Sequence, residues 1–246
     1  MSKFYSVTKS LLVVGTVLSV VLASTAMAQE VRYTWVDMSY MVQNAEIEGT
    51  KPTLDPTQTV HVNGVDGSGI QFRASAGTWH NLYMFVDFAS TDMDVFATVI
   101  VDGVEFPAEP DEFDYTTIRA GLGYRIPIGL GSATDLYGEV TYDSINLDFG
   151  NFGVLPPEFE HDTDNKDFGA ALGLRAMLND KLELKLYGRY TNHGDVDLTS
   201  GEFDADGVYG AGFAWQLVRG FSLVADYESG EFGKWSVGFR LDLDED

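Results

Sequence analysis

The last stretch of the chain, residues 234–243, constrains the fold more than any other. Trp235, Val237, Phe239, Leu241 and Leu243 alternate with Ser236, Gly238, Arg240 and Asp242. A period of two places one set on each face of a strand, whereas an amphipathic helix repeats every three or four residues. An isolated half-buried strand would carry the same signature. Recurrence separates the two readings, because several upstream stretches repeat the pattern with arginine on the second face. A closed sheet with lipid outside and a polar interior accounts for that repetition.

Ten such stretches are expected, near residues 32–42, 68–76, 81–90, 115–126, 135–145, 167–178, 181–191, 207–216, 220–228 and 234–243. Their connections alternate in length. Short turns fall at 77–80, 127–134, 179–180 and 217–219, and long polar segments at 43–67, 91–114, 146–166 and 192–206. Only 229–233 is short on the long-loop side. A sandwich has no reason to sort its loops in this way. The pattern predicts an all-β, antiparallel up-and-down transmembrane β-barrel of ten strands, with eight as the alternative. Its short turns are periplasmic and its long acidic loops extracellular.

The first 28 residues read as a signal peptide. Lys3 and Lys9 form a basic start, an apolar run spans 11–22, and Ala26-Met27-Ala28 is a small-x-small cleavage site. That run is too short for a comfortable helical span. The mature domain is then 29–246. Its lack of cysteine excludes a disulfide framework, cysteine metal ligation and a thiol nucleophile. The formal charge of −23 excludes nucleic acid as a partner, since phosphates call for lysine and arginine.

The period of two also assigns faces. On the lipid side fall Val36, Met38 and Tyr40; Ile70 and Phe72; Leu82, Met84, Val86 and Phe88; Ile118, Leu122 and Tyr124; Leu136, Val140 and Tyr142; Phe168, Leu172 and Leu174; Leu182, Leu184, Leu186 and Tyr190; Phe213 and Trp215; and Phe221, Leu223 and Tyr227. The lumen side holds Asp37, Arg73, Asp87, Arg119, Arg125, Glu139, Asp143, Arg175, Glu183, Lys185, Arg189, Asp226 and Arg240. A barrel this narrow is filled by side chains. Unpaired charges there would be costly to desolvate, so interleaved ion pairs are expected to plug it. Gly121, Gly123, Gly169, Gly173, Gly210 and Gly212 face inward and make room for long neighbours. Aromatic residues should form two girdles, with Trp79, Tyr124, Trp215 and Phe221 near the short-turn rim and Tyr40, Phe88, Tyr142, Tyr190, Tyr227 and Trp235 near the other.

The signal peptide, the alternating strands and a polar-x-Gly-x-x-apolar-x-apolar final strand resemble small Gram-negative outer-membrane β-barrel proteins of the porin-like, OmpA-type or opacity-type families. The stretches 169–178 and 182–190 resemble that group's paired strands around a tight periplasmic turn. The resemblance implies that Ser236, Gly238, Leu241 and Leu243 form the assembly signal read by the barrel-assembly machinery. It implies outer-membrane lipid and lipopolysaccharide as surroundings. Such proteins usually end on an aromatic residue; this one ends Leu243-Asp244-Glu245-Asp246.

Candidate chemistry lies in the acidic loops. Asp92, Asp94, Asp102, Glu105, Glu109, Asp111, Glu112 and Asp114 share one, Glu158, Glu160, Asp162, Asp164 and Asp167 the next, and Asp195, Asp197, Glu202, Asp204 and Asp206 the last. Dense carboxylates offer oxygen ligands to divalent cations. None has the spacing of a calcium-binding loop, so no metal site is assigned. His193 with Asp195 is the one pair comparable with a rim hydrolase, and no nucleophile accompanies it. The expectation is a non-enzymatic, cofactor-free barrel with a charge-plugged lumen, serving envelope integrity or surface interaction. A narrow pore for small solutes or ions is the alternative.

Overall fold

The computed structural model describes residues 31–45, 49–52, 58–78, 80–108, 111–128, 133–148, 163–197, 202–230 and 233–243. The expected signal peptide, Trp79 and the acidic residues Glu109, Glu158, Glu160 and Asp162 lie outside them.

Twelve strands are present among the described residues: β1 (Trp35–Ala45), β2 (Gly49–Pro52), β3 (Gln58–Gly77), β4 (Leu82–Val101), β5 (Val104–Pro107), β6 (Asp111–Pro127), β7 (Thr134–Asp148), β8 (Thr163–Asn179), β9 (Leu182–Asp197), β10 (Glu202–Val218), β11 (Phe221–Ser229) and β12 (Gly233–Asp242). Ten of them close a ring. β1 pairs antiparallel with β3 on one side and β12 on the other, so the first and last strands meet and the barrel has no free edge. β2 and β5 are short additions to β3 and β4 beyond that ring.

Strand ends differ from expectation. β3 and β4 are each 20 residues long and pair from Gln58↔Val101 to Gly77↔Tyr83. Much of the expected loops 43–67 and 91–114 is therefore strand. Likewise β9 runs to Asp197 and β10 begins at Glu202, so the fourth acidic loop is largely hairpin. The alternation continues past the apolar belt, but its outward members become Asp66, Asp92, Asp94 and Asp114. A sequence criterion that required outward apolar residues stopped where the bilayer stops, not where the hydrogen-bond ladder does. At ~3.4 Å per residue, β3 and β4 reach roughly 65 Å and the β11–β12 hairpin about half that, so the wall is tall on one side and low on the other.

The exposed face is apolar. Leu172 is 70% exposed, Phe168 67% and Val140 64%, the inverse of a water-soluble core and the arrangement lipid requires. Tyr124 and Trp215 lie toward the short-turn rim, and Tyr40, Tyr142, Tyr190, Tyr227 and Trp235 toward the other, all on this outer face. Leu174 departs from its expected lipid contact: it is buried beside Ala176, with Ile128, Leu178 and Leu184 packed around it. Ile128, the residue that follows β6, packs on that part of the outer wall.

The short rim is built from tight turns. His80 and Asn81 both have positive φ, the left-handed backbone that helps reverse the chain between β3 and β4. The Asn179 side-chain oxygen accepts from the backbone N–H groups of Lys181 and Leu182 at 2.9 and 3.0 Å, closing the β8–β9 turn. Two apolar clusters sit inside the barrel. Toward the long rim are Ala45, Val65, Met93, Phe113, Tyr115, Ile145 and Leu147; toward the short rim are Val31, Tyr33, Tyr83, Ala133, Tyr137 and Met177.

A charged lumen as candidate functional site

Between those clusters the inward positions carry charge. The sheet's period of two forces this: once Met38, Phe72 and Val86 face lipid, Asp37, Arg73 and Asp87 must face in. The three sit in register across β1, β3 and β4, as Asp37↔Arg73 and Arg73↔Asp87. Arg73 Nε donates to both oxygens of Asp37 at 3.0 and 3.1 Å, and its Nη2 donates to Asp226 across the lumen at 2.6 Å. Gln71 donates to both oxygens of Asp87 at 2.8 and 3.0 Å. Arg119 donates to Asp143 at 2.9 Å and lies 3.6 Å from Asp87.

Toward the short rim, Glu183 receives two guanidinium groups. Arg175 donates to its Oε1 at 2.9 and 2.7 Å, and Arg240 to its Oε2 at 3.0 Å. Arg240 also lies 3.0 Å from Asp242, and Arg125 3.4 Å from Asp135. Toward the long rim, Glu228 accepts from Arg189 at 2.8 Å and from the Tyr187 hydroxyl at 2.6 Å, with the Lys234 ammonium 3.9 Å away. Glu139 accepts from the Tyr83 hydroxyl at 2.7 Å. Lys185 has no carboxylate within 4.0 Å among the described residues; its ammonium lies 4.7 Å from the Tyr187 ring centre. The cavities left among the described residues are small, about 100 Å³ beside Trp35, Glu139 and Lys185, about 60 Å³ beside Gln43, Tyr115 and Thr191, and about 20 Å³ beside Arg32, Met177 and Ser222.

All thirteen charged residues selected from the sequence thus lie on the inward face. Missing from that set were Asp135, Glu228, Lys234 and Asp242, which share the same alternation. Glu228 and Lys234 flank a short hairpin, and Asp135 and Asp242 stand at strand ends, where the pattern has one neighbour rather than two. The inward tyrosines were missed as well. Tyr83, Tyr137 and Tyr187 each lie over a glycine on the adjacent strand, Gly123, Gly173 and Gly210 respectively, where a Cβ would collide with the ring.

Ser236 is buried and inward, as is Gly238, which packs against the backbone of Met38; Leu241 and Leu243 are half exposed on the outer face. His193 and Asp195 are both on β9.

Beyond the apolar belt, the outer face of β3, β4, β6 and β7 carries carboxylates in direct cross-strand opposition. Asp66 faces Asp94, which faces Glu112; Asp92 faces Asp114, which faces Asp148. They line one open cleft. Like charges opposite one another destabilise a sheet. Partial desolvation in the cleft and then the repulsion of Asp92 and Asp148 hold the exposed Asp114 carboxyl above its ordinary pKa. Among the described residues, no group of three or more histidine, aspartate or glutamate side chains is arranged to hold a metal ion.

A closed antiparallel barrel that is apolar outside and charged inside defines the class of bacterial outer-membrane β-barrel proteins. The chain belongs to the outer membrane protein beta-barrel domain family, whose model matches residues 14–216. Solved structures similar to it include the outer membrane protein OprG from Pseudomonas aeruginosa, at 12% identity and a TM-score of 0.43, over 87% of this chain and 98% of that one. The translocator domain of the autotransporter NalP from Neisseria meningitidis is 14% identical with a TM-score of 0.48, over 96% and 97%. The attachment invasion locus protein Ail of Yersinia pestis, solved with a heparin analogue, is 14% identical with a TM-score of 0.35, over 85% and 99%. No curated protein matches the sequence.

Proposed function

We propose that the chain is a non-enzymatic outer-membrane barrel whose lumen is closed by its own side chains, and that it serves envelope integrity or interaction at the cell surface. One observation carries the reading. Arg73, Arg119, Arg175, Arg189 and Arg240 each have a carboxylate within 3.0 Å, and apolar clusters lie above and below them. Paired charges of this kind are held in place, because separating one pair strands both partners in a poorly solvated interior. The acidic rows outside would lie at the level of lipopolysaccharide phosphates, where divalent cations between the two would relieve repulsion. The barrel-assembly machinery is the partner proposed for the final strand.

The alternative, a narrow pore for small solutes or ions, draws on the small residual cavities and on Lys185, which has no carboxylate within 4.0 Å among the described residues. Planar-bilayer recording separates the two. Purified protein is expected to give no sustained single-channel current, and reproducible unitary currents would overturn the closed-lumen reading.

A further inference from the structure

The periplasmic end of the lumen is closed by residues that belong to no strand. Residues 31–34 precede β1 and make no ladder of their own, yet Val31 and Tyr33 are among the most buried side chains, at 2% and 4% exposure. Their contacts lie across the barrel from β1, whose neighbours are β3 and β12. The Tyr33 ring lies between two guanidinium groups, with Arg175 Cζ of β8 4.4 Å and Arg125 Cζ of β6 5.1 Å from its centre, and its centre is 4.6 Å from that of Tyr83 on β4. Arg125 donates to the Val31 carbonyl at 3.4 Å. Ala133 and Met177 complete the cluster around Val31 and Tyr33. The segment is fastened to the wall at Thr34. The Thr34 carbonyl accepts from Leu243 N–H at 2.8 Å, and its side-chain oxygen accepts from Gly77 N–H at 3.1 Å.

We propose that residues 31–34 act as a hinged stopper: Thr34 is the hinge, the Tyr33 ring is the bung, and the Arg125–Arg175 pair is its seat. Tyr33 lies against Tyr83 and Arg175, which with Tyr137 and Glu183 line the short-rim end of the larger cavity. The stopper is held by side-chain packing, cation–π contacts and hydrogen bonds rather than by a ladder along its own backbone. It is therefore the part of the lumen boundary that opens first. When it swings out, the cavity lined by Trp35, Ser75 and Lys185 opens to the periplasm while the barrel wall stays intact. The device controls access from one side and rests on the barrel itself, not on whether the lumen conducts.

The chain contains no cysteine, so a single thiol reports on that access. Ser75 is buried, faces the cavity and is nearly isosteric with cysteine. In folded protein carrying Ser75→Cys, labelling by a charged, water-soluble methanethiosulfonate reagent is expected to be slow. Adding Tyr33→Ala should speed it by about tenfold or more, because the ring's contacts with both guanidinium groups are lost. Adding Tyr33→Phe, which keeps a ring in the seat, should leave it within about twofold of the parent. Equal rates for the parent and the Tyr33→Ala variant would overturn the stopper, and so would a parent thiol that already reacts as fast as a free one.

If Tyr33→Ala does not fold, amide exchange in the unaltered protein decides. Residues 31–34 should exchange faster than residues 36–42 of β1, and equal protection would make the segment a fixed piece of wall. A conducting protein whose thiol still waits on Tyr33 would sink the closed-lumen reading alone. A silent one whose labelling ignores Tyr33 would sink the stopper alone.

Discussion

Glu183 is shared by two guanidinium groups from opposite directions. Arg175 reaches it from β8 and Arg240 from β12, so one carboxylate links strands that are not neighbours in the sheet. Its side chain is 5% exposed. Glu183→Ala would leave two cations facing each other with half their compensation gone. Breaking a buried ion pair from one side costs about 3–5 kcal/mol, and a loss of that size is expected in the urea unfolding free energy of vesicle-inserted protein. A loss below about 1 kcal/mol, the worth of an exposed pair, would mean that water screens the lumen. This residue was legible in the sequence because a charge in step with Arg189 and out of step with Leu182, Leu184 and Leu186 has only the interior to face. Tyr83, Tyr137 and Tyr187 were not legible in the same way. A tyrosine is equally at home in an interfacial girdle, so its place in the alternation is the only evidence of its direction, and one ring among apolar neighbours on both sides gives no contrast.

Between strands, the unit that repeats is a tyrosine lying across the glycine opposite it. The inward glycines could be read from the sequence; what fills the space above them could not, since that depends on cross-strand register, and register is a pairing of distant segments. Tyr137↔Gly173 shows the consequence. A side chain at position 173 would meet the Tyr137 ring. Gly173→Val should therefore destabilise the β7–β8 pair by about 1–3 kcal/mol, the usual cost of overpacking. Tyr137→Ala in the same chain should return part of that loss, and a double-mutant cycle on unfolding free energies measures the coupling. Additive losses would show that the ring moves aside without cost. The ends of strands were illegible for a different reason. Outward positions of β3, β4 and β6 switch from apolar to acidic at the edge of the bilayer, so the pattern that marks a membrane strand ends while the ladder continues for another ten residues or so on β3 and β4.

Across the whole molecule, charge is segregated. Arg73, Arg119, Arg125, Arg175, Lys185, Arg189, Lys234 and Arg240 all point into the lumen, whereas the outer face beyond the apolar belt is lined by Asp66, Asp92, Asp94, Glu112, Asp114 and Asp148. The lumen bases are therefore turned away from Asp66, Asp92, Asp94, Glu112 and Asp114, and carboxylates opposed across β3, β4 and β6 repel at neutral pH. The sign of the pH effect follows from Asp114. Its carboxyl is held above the ordinary value by partial desolvation in the cleft and by Asp92 and Asp148, so the folded wall binds a proton more tightly than the unfolded chain does. The stability it contributes is fully present below the unfolded carboxylate range, near pH 4, and is lost as pH rises through the higher folded value. Moving from neutral toward mildly acidic pH should then raise amide-exchange protection at residues 92–94 and 112–114, after correction for intrinsic exchange, while β11 and β12 stay unchanged. Asp114→Asn should show the higher protection already at neutral pH and lose most of the dependence. If protection falls instead on acidification, or rises equally on the low β11–β12 side, repulsion between the opposed carboxylates is not what limits the tall wall.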